Sequence, residues 1–492
     1  MADDRVIALP LRRRDEEQFD VAPEFTEEGL ALAFAGRYRD QLRYVKAWGR
    51  WYEWRGDHWA EERTLAVFDH IRKECRNTAA RAPDGTAAEI RLKAELNRAK
   101  TRAAVETLIR ADRRFASKPE DWDVDDWLLS TPAGIIDLRT GENIGFHPER
   151  YCTRVTAVAP GGKCPNWLTF LDRVTGKSKG KGKEQDEEQS KNSAEIIAFL
   201  QRVAGYCLTG SIREHAMFFV YGTGGNGKGV FLNTLTAIMA QFHKGSPVET
   251  FAERTHPAHP TELARLAGAR LVTSQETEQG QFWAEARIKS LTGGDPVPAR
   301  FMRGDYFEFH PKFKLIIVGN HKPQFRSVDE ALRRRFYLIP FDVTIPKEEK
   351  NHNLAEDLKA EWPGILQWMI EGCLEWQKHG LDAPEAVMHA TAEYLDAEDV
   401  IGQWIKQFCF IAAGAEMKLS EAFKNWKEYA DLSRIAPRNI KTLKAEIEKH
   451  HSGGTVERGG SVWHKGIRLK QPDEMRKEAD EMRKKHPYYS CA

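Results

Sequence analysis

The sequence predicts a multidomain α plus α/β protein: a mainly helical amino-terminal domain, a central α/β domain and a winged-helix-like module at the carboxyl end. Three observations predict it. Between residues 195 and 345, four short apolar runs alternate with helical segments, as buried parallel strands do: AMFFVYG (216–222), ARLVTSQ (269–275), KLIIVGN (314–320) and FYLIPF (336–341). Residues 25–115 are dominated by charged segments of helical period, such as AEIRLKAELNRAKTRAAVETLIRADRRF. Residues 419–470 read helix, helix, then two short strands around Gly459-Gly460.

Composition bounds the class. A chain of 492 residues, 41% hydrophobic and 30% charged, has material for about three globular domains. No run of 18 apolar residues occurs, which excludes a membrane-spanning helix, and MADDRVIALPLRRRDEEQ lacks the apolar core of a secretory signal. The seven cysteines are scattered singly with no C-x-x-C pair, which argues against zinc and disulfides and for a reducing cytoplasm. Net charge is +1, so any site for a polyanion must be local; residues 417–492, with 17 Lys and Arg against 11 Asp and Glu, qualify.

Along the chain, residues 1–24 read as an unfolded polar arm. WYEWRGDHW (51–59) interrupts the helical pattern, with Gly56-Asp57 as a hairpin turn between aromatic residues. WLLSTPAGIIDLRTGENIGFHP (127–148) switches to short strands. TGKSKGKGKEQDEEQSKNS (175–193) has no apolar residue and reads as a flexible linker or surface loop. VPARFMRGDYFEF (297–309) alternates around Arg303-Gly304-Asp305 as a second hairpin.

The most informative stretch is YGTGGNGKGVFLNTL (221–235). It follows an apolar strand and opens a helix, the setting of a phosphate loop. Gly222, Thr223, Gly224, Gly225, Asn226, Gly227, Lys228, Gly229 and Val230 form the candidate nucleotide-binding segment. Backbone N–H groups at the helix start face phosphate, Lys228 reaches the β and γ oxygens, and glycines allow the close backbone approach. Gly229 stands where a Ser or Thr would hold magnesium. Thr234, five residues on and roughly 7.5 Å along the helix, cannot replace it. Magnesium takes its other ligands from water, phosphate and carboxylate, so acidic residues nearby would compensate.

Those residues follow in order. The strand 269–275 runs into Glu276 and Glu278, two apart and so on one side of a continuing strand: one to hold magnesium through water, the other to polarise the attacking water. KLIIVGN ends in Asn320, which can position that water, and Arg333, Arg334 and Arg335 precede the fourth strand, where an arginine can stabilise charge on a transferring phosphoryl group. In an open α/β sheet these strand ends converge. Asp123-x-Asp125 could imitate a polymerase metal pair, but no second acidic strand accompanies it, and a structural role is the expectation.

These strings together resemble the superfamily 3 helicases, specifically the phage and plasmid primase–helicases related to the poxvirus primase–helicase NTPase. GTGGNGKG resembles their Walker A motif, LVTSQETE their Walker B with Glu276 and Glu278, IKSLTGGDPVPARFMRGDYFEFHPKF the motif peculiar to the superfamily, and IIVGNHKP their sensor 1 at Asn320. The paired arginines fall on Arg334 and Arg335, while Arg333 stands at a position that is often aromatic. The resemblance implies an AAA+-like P-loop ATPase domain over 195–395. It is preceded by a helicase-associated domain (25–173) and a linker (174–194), and followed by a winged-helix-like domain (396–471) and a charged tail (472–492). An upstream polymerase-like primase domain, frequent in the family, is expected to be lacking.

The resemblance also implies ATP and Mg2+ as cofactors, and a homo-oligomer, most simply a hexamer, whose arginine fingers complete a neighbour's site. Its 297–309 hairpin would line a pore and track single-stranded or replication-fork DNA through Arg300 and Arg303. Phe301 would stack on a base and Lys289 would sit at the nucleotide or pore side. Polarity is expected to be 3′ to 5′. Arg434, Arg438, Lys441 and Lys444 of the winged-helix end are candidates for duplex contact, with protein docking as the equal alternative. The expected setting is the bacterial cytoplasm, on a phage, prophage or plasmid replicon, with a separate primase or other replisome protein as partner and no membrane. The alternatives are an origin-binding initiator or loader that unwinds poorly, a primase-associated NTPase, and a non-hydrolysing scaffold, for which Gly229 is the support.

Overall fold

The computed structural model describes residues 24–176, 183–253, 260–275, 281–302, 304–432 and 439–477, and the chain divides into two compact units, 1–124 with 146–154 and 125–145 with 155–492. Glu276, Glu278, Arg303, Arg434, Arg438, the arm through residue 23 and the end of the tail lie outside the described residues.

In the first unit, helices Glu27–Tyr38, Ala66–Arg81, Ala87–Leu96 and Ala99–Ala111 pack around Leu30, Phe34, Val67, Ile71, Val105 and Ile109. The third starts at a capping box, Thr86 accepting from Glu89 N–H while Glu89 accepts from Thr86 N–H, which satisfies two orphan donors of the first turn. A small sheet stands beside them. Arg50–Trp54 and Trp59–Glu61 form the expected hairpin, with Trp54 opposite Trp59, and Leu42–Val45 lies between Arg50–Trp54 and Ala116–Ser117.

The second unit is built on a five-stranded parallel sheet: β1 (Met217–Tyr221), β2 (His243–Gly245), β3 (Leu271–Gln275), β4 (Lys314–Gly319) and β5 (Phe336–Pro340), in the order β5-β1-β4-β3-β2. The central strands are buried along most of their length because both faces are covered. Phe218, Val220, Ile316, Val318 and Ile339 join a core with the helices Lys183–Leu208 and Trp362–His379, while Met217, Phe219, Leu315, Ile317 and Leu338 join one with Trp283, Leu291 and Tyr394. Two buried basic side chains brace the amino ends of the sheet. Arg270 donates to Leu208 O (2.6 Å) and Leu128 O (2.8 Å), and Lys314 to Thr209 O and Ser211 O, so both satisfy carbonyls at or just beyond the end of helix Lys183–Leu208.

Two expectations change. Residues 183–194 are helical rather than a linker: Glu, Gln and Lys favour helix, the segment continues into Ile196 and Phe199, and Ser193 Oγ meets Thr175 Oγ1 at 2.6 Å. The strands Leu128–Thr131, Gly134–Asp137 and Glu142–Gly145 fall in the second unit, because Leu129, Ile136 and Leu138 are part of its main core.

The carboxyl-terminal part runs helix Val400–Phe408, strand Cys409–Lys418, helices Leu419–Leu432 and Ile440–His450, then strands Thr455–Arg458 and Ser461–Leu469 about the Gly459-Gly460 turn. The last strand lies between the other two, and Trp404, Leu419, Trp426, Leu443 and Ile447 fill the core. The order is therefore helix, strand, helix, helix, strand, strand.

Candidate nucleotide site

The loop after β1 is shaped by residues that have no side chain. Gly224, Gly225 and Gly227 take positive φ, and a Cβ at Gly227 would lie 2.6 Å from Val174 Cγ1 and 2.8 Å from the Phe170 ring. A Cβ at Gly222 would lie 1.9 Å from Asn226 Nδ2 and 2.3 Å from Phe341 O. Helix Lys228–Met239 then begins with its free N–H groups facing the loop. A phosphate fits this cradle: bare backbone, a helix amino terminus and an ammonium group converge on it.

Lys228 is only 5% exposed. Its Nζ donates to Gly222 O (2.7 Å), Asn226 Oδ1 (2.9 Å) and Asn320 Oδ1 (3.1 Å), and burial holds its pKa below the ordinary lysine value. The contact with Asn320 follows from sheet order. β4 is the neighbour of β1, so the residue after Gly319 meets the loop after Tyr221, its register partner. The neighbour of β4 on the other side is β3, whose last described residue, Gln275, pairs with Val318. Glu276 and Glu278 continue from that point, outside the described residues.

Asn226 has a second task that its place in the motif did not reveal. Its Nδ2 donates to Phe341 O at 2.7 Å, just beyond β5, and Ile345 N–H donates to Gly225 O at 3.1 Å. The phosphate loop is thereby pinned to the segment after β5. Gly229 lies exposed, with nothing within 4 Å of the position a Cβ would take, while Thr223 is exposed and Val230 half-buried.

The three arginines before β5 are distinct. Arg333 pairs with Asp396 (2.7 Å) and Asp399 (3.6 Å). Asp399 also caps helix Val400–Phe408 through Gly402 N–H and meets His450 Nε2 at 3.2 Å. Burial opposes ionisation of Asp399, but its hydrogen bonds from His450 and Gly402 and the charges of His450 and Arg333 hold its carboxyl below the usual range. Arg335 donates to Ala331 O, and its Nε is buried. Arg334 is exposed, and its side chain has no partner among the described residues.

The 297–309 hairpin forms as expected, Val297–Arg300 antiparallel to Tyr306–Phe309. Arg300 lies over the Tyr306 ring (4.8 Å), and Phe301 stacks on Phe307 at 5.4 Å. Phe301, Met302 and Tyr306 are all exposed at the tip; sequence reasoning picked only the first, although the alternation could have yielded Tyr306. Lys289 is bonded to Asp329, the cap of helix Glu330–Arg333 that leads into the arginines. The Asp123 carboxylate takes Thr153 N–H and Arg154, and Asp125 pairs with Arg139, so both have structural partners. Among the described residues no cluster of His, Cys, Asp and Glu is placed to hold a metal, and no helix is long and apolar enough to cross a membrane.

Comparison with known proteins finds relatives of parts of the chain. A family profile described as "D5 N terminal like" matches residues 31–176, and one described as a family of unknown function (DUF5906) matches residues 220–335. The chain is 25% identical over 281 residues to "Putative helicase L207/L206" of Acanthamoeba polyphaga mimivirus, covering 50% of this chain and 29% of that protein. It is 31% identical over 147 residues to "Putative helicase 121R" of Invertebrate iridescent virus 3, covering 29% and 16%. The matches thus span less than a third of either relative. Among solved structures, apo forms of the NrS-1 C-terminal region align over 87% of this chain and 96% of theirs at 9% identity and a TM-score of 0.47, or over 86% and 96% at 10% and 0.42. The D5-type family match and the two viral relatives bear out the resemblance to primase–helicases that the motifs carry.

Proposed function

We propose that this protein is an ATP-dependent DNA helicase of the superfamily 3 type, acting in replication of a phage or plasmid replicon. The observation that carries the reading is the Lys228 ammonium, buried in a glycine cradle and in contact with Asn320 of β4. Magnesium, when bound, would supply positive charge that offsets the charge building on the transferring phosphoryl group. The chain's own groups do the rest. Loop N–H groups and the helix start bind phosphate, and Lys228 exchanges its loop acceptors for phosphate oxygens. Of Glu276 and Glu278, one would hold the metal through water and the other would take a proton from the attacking water, which Asn320 orients.

Arg334 is the finger, reaching a neighbouring subunit's nucleotide in a hexameric ring. Its exposure and lack of a partner support this, whereas Arg333 is engaged by Asp396 and Asp399. Single-stranded DNA passes the hairpin, where Arg300 and Arg303 follow phosphates and Phe301 meets bases, with movement 3′ to 5′. Gly229 is compatible with turnover because Glu276 and Glu278 would be left to hold the metal. The test is ATP hydrolysis with magnesium, with and without single-stranded DNA. Wild type turns over and DNA accelerates it, while Lys228→Ala is inactive. Nucleotide binding with no hydrolysis above the Lys228→Ala background would sink the motor and favour a scaffold.

A further inference from the structure

The aromatic hairpin of the first unit has no part in the nucleotide site, and we propose that its outer face is a stacking surface for single-stranded nucleic acid. Strand alternation makes two unlike faces. Tyr44 and Trp51 turn into the helical core, while Val45, Tyr52, Trp54 and Trp59 form a second cluster closed by Trp122 and Tyr151.

Trp59 and Trp122 are its buried floor, fixed by Trp59 Nε1 to Pro148 O (2.8 Å) and Trp122 Nε1 to Ser117 Oγ (3.2 Å). Tyr52 (4.6 Å) and Tyr151 (5.0 Å) lie against Trp122. Trp48, in the turn after Val45, stands over this floor, 5.6 Å from Tyr52 and 6.1 Å from Trp122, and is 40% exposed. A tryptophan exposed to this degree at a tight turn adds little to a core but offers a ring to a base.

Charge selects the occupant. Val45 pairs in parallel register with Ser117, so Lys46 and Lys118 leave the sheet side by side, at the same end as Trp48. Both are exposed, and neither ammonium has an ion-pair partner among the described residues. The two carboxylates that act on the Tyr52 ring are already matched, Glu61 by Arg50 and Arg63 and Asp123 by Arg154, while Glu120 is exposed in the turn after Lys118. Asp121 accepts from Lys118 N–H. Rings that take bases beside two free cations that take phosphates suit an unpaired strand, whose base faces are open; a duplex keeps its faces stacked inside. No hydrogen-bond array reads base edges here, so binding is tolerant of sequence. The proposal is independent of ATP hydrolysis, and strand binding here by a chain that fails to turn over ATP would sink the motor reading alone.

The test uses the full chain without nucleotide, photocrosslinked to iodouracil-substituted oligothymidylate, with the crosslinked peptides mapped and the affinity measured against salt. Crosslinks are expected between residues 44 and 55. Trp48→Ala weakens binding about tenfold, whereas Trp48→Phe retains most of it. Lys46→Gln with Lys118→Gln lowers the slope of log affinity against log salt by ~1.4, the value for two phosphate contacts to a single strand. Crosslinks confined to the 297–309 hairpin or elsewhere, with both variants binding as wild type does, overturn the proposal. Should Trp48→Ala fail to fold, the surface lysine pair decides on its own.

Discussion

Replacing Arg334 separates a catalytic arginine from a structural one. The residue is exposed and its side chain makes no hydrogen bond or ion pair with a described residue, so Arg334→Ala leaves stability within about 0.5 kcal/mol of wild type. An arginine finger contributes roughly 10³–10⁵ to turnover, about 4–7 kcal/mol of barrier, and this variant loses that amount with little change in nucleotide affinity. Arg333→Ala shows the opposite balance: it breaks ion pairs to Asp396 and Asp399, costs on the order of 1 kcal/mol of stability, and lowers turnover far less. The decisive assay mixes Lys228→Ala with Arg334→Ala subunits, each inactive alone. If the finger acts across an interface, about a quarter of interfaces in an equal mixture join an intact lysine to an intact arginine, and hydrolysis returns in that proportion. Full activity of Arg334→Ala alone, or a mixture as inactive as its parts, refutes the reasoning.

Three further outcomes follow from single sites. Gly229→Ser has room for its side chain, so the fold is retained and the magnesium concentration for half-maximal hydrolysis falls several-fold; an unchanged midpoint would show that the hydroxyl does not reach the metal. Asp399→Asn keeps the helix cap and loses the charge, whereas Asp399→Ala loses both, so melting should rank wild type above Asn above Ala, with about 1 kcal/mol separating the last two; equal losses would remove capping as a factor. Lys314 has its pKa pushed down to about 7 by burial, so above that pH the folded chain releases a proton that the unfolded chain keeps, and stability rises with pH between 7 and 10 by at most about 1.4 kcal/mol per unit; Lys314→Met, melted over the same range, should show no such slope.

What the sequence disclosed was local chemistry. β1, β4 and β5 were readable as runs dominated by apolar residues, and β3 as Leu271-Val272 followed by short polar side chains that a strand tolerates. β2 was not, being three residues, His243–Gly245, paired on one side only to Leu271–Thr273. The hairpins at 56, 303 and 459 announced themselves by glycine between alternating residues. The order of the strands has no local signal, yet it is what brings Asn320 to Lys228. The roles of Arg333, Arg334 and Arg335 were equally hidden, because Asp396 and Asp399, which single out the first, lie more than sixty residues on. Asn226 was legible as a loop residue but not as a strut, since its acceptor is the backbone of Phe341.

That strut suggests how the two working ends communicate. Helix Glu285–Gly293 leads into the hairpin strand Val297–Arg300, and its Lys289 bonds to Asp329. Asp329 caps the helix that ends at Arg333, Arg334 follows, and β5 runs from there to Phe341, whose carbonyl holds Asn226, which in turn accepts from Lys228. A shift of the hairpin thus has a hydrogen-bonded route to the phosphate loop, and coupling along it is measurable. Lys289→Met should reduce DNA stimulation of hydrolysis several-fold without weakening DNA binding, and Asp329→Asn should add little to it, since both break one bond. If Lys289 instead grips DNA itself, Lys289→Met lowers DNA affinity while Asp329→Asn does not. The two residues then act additively, and the route is wrong.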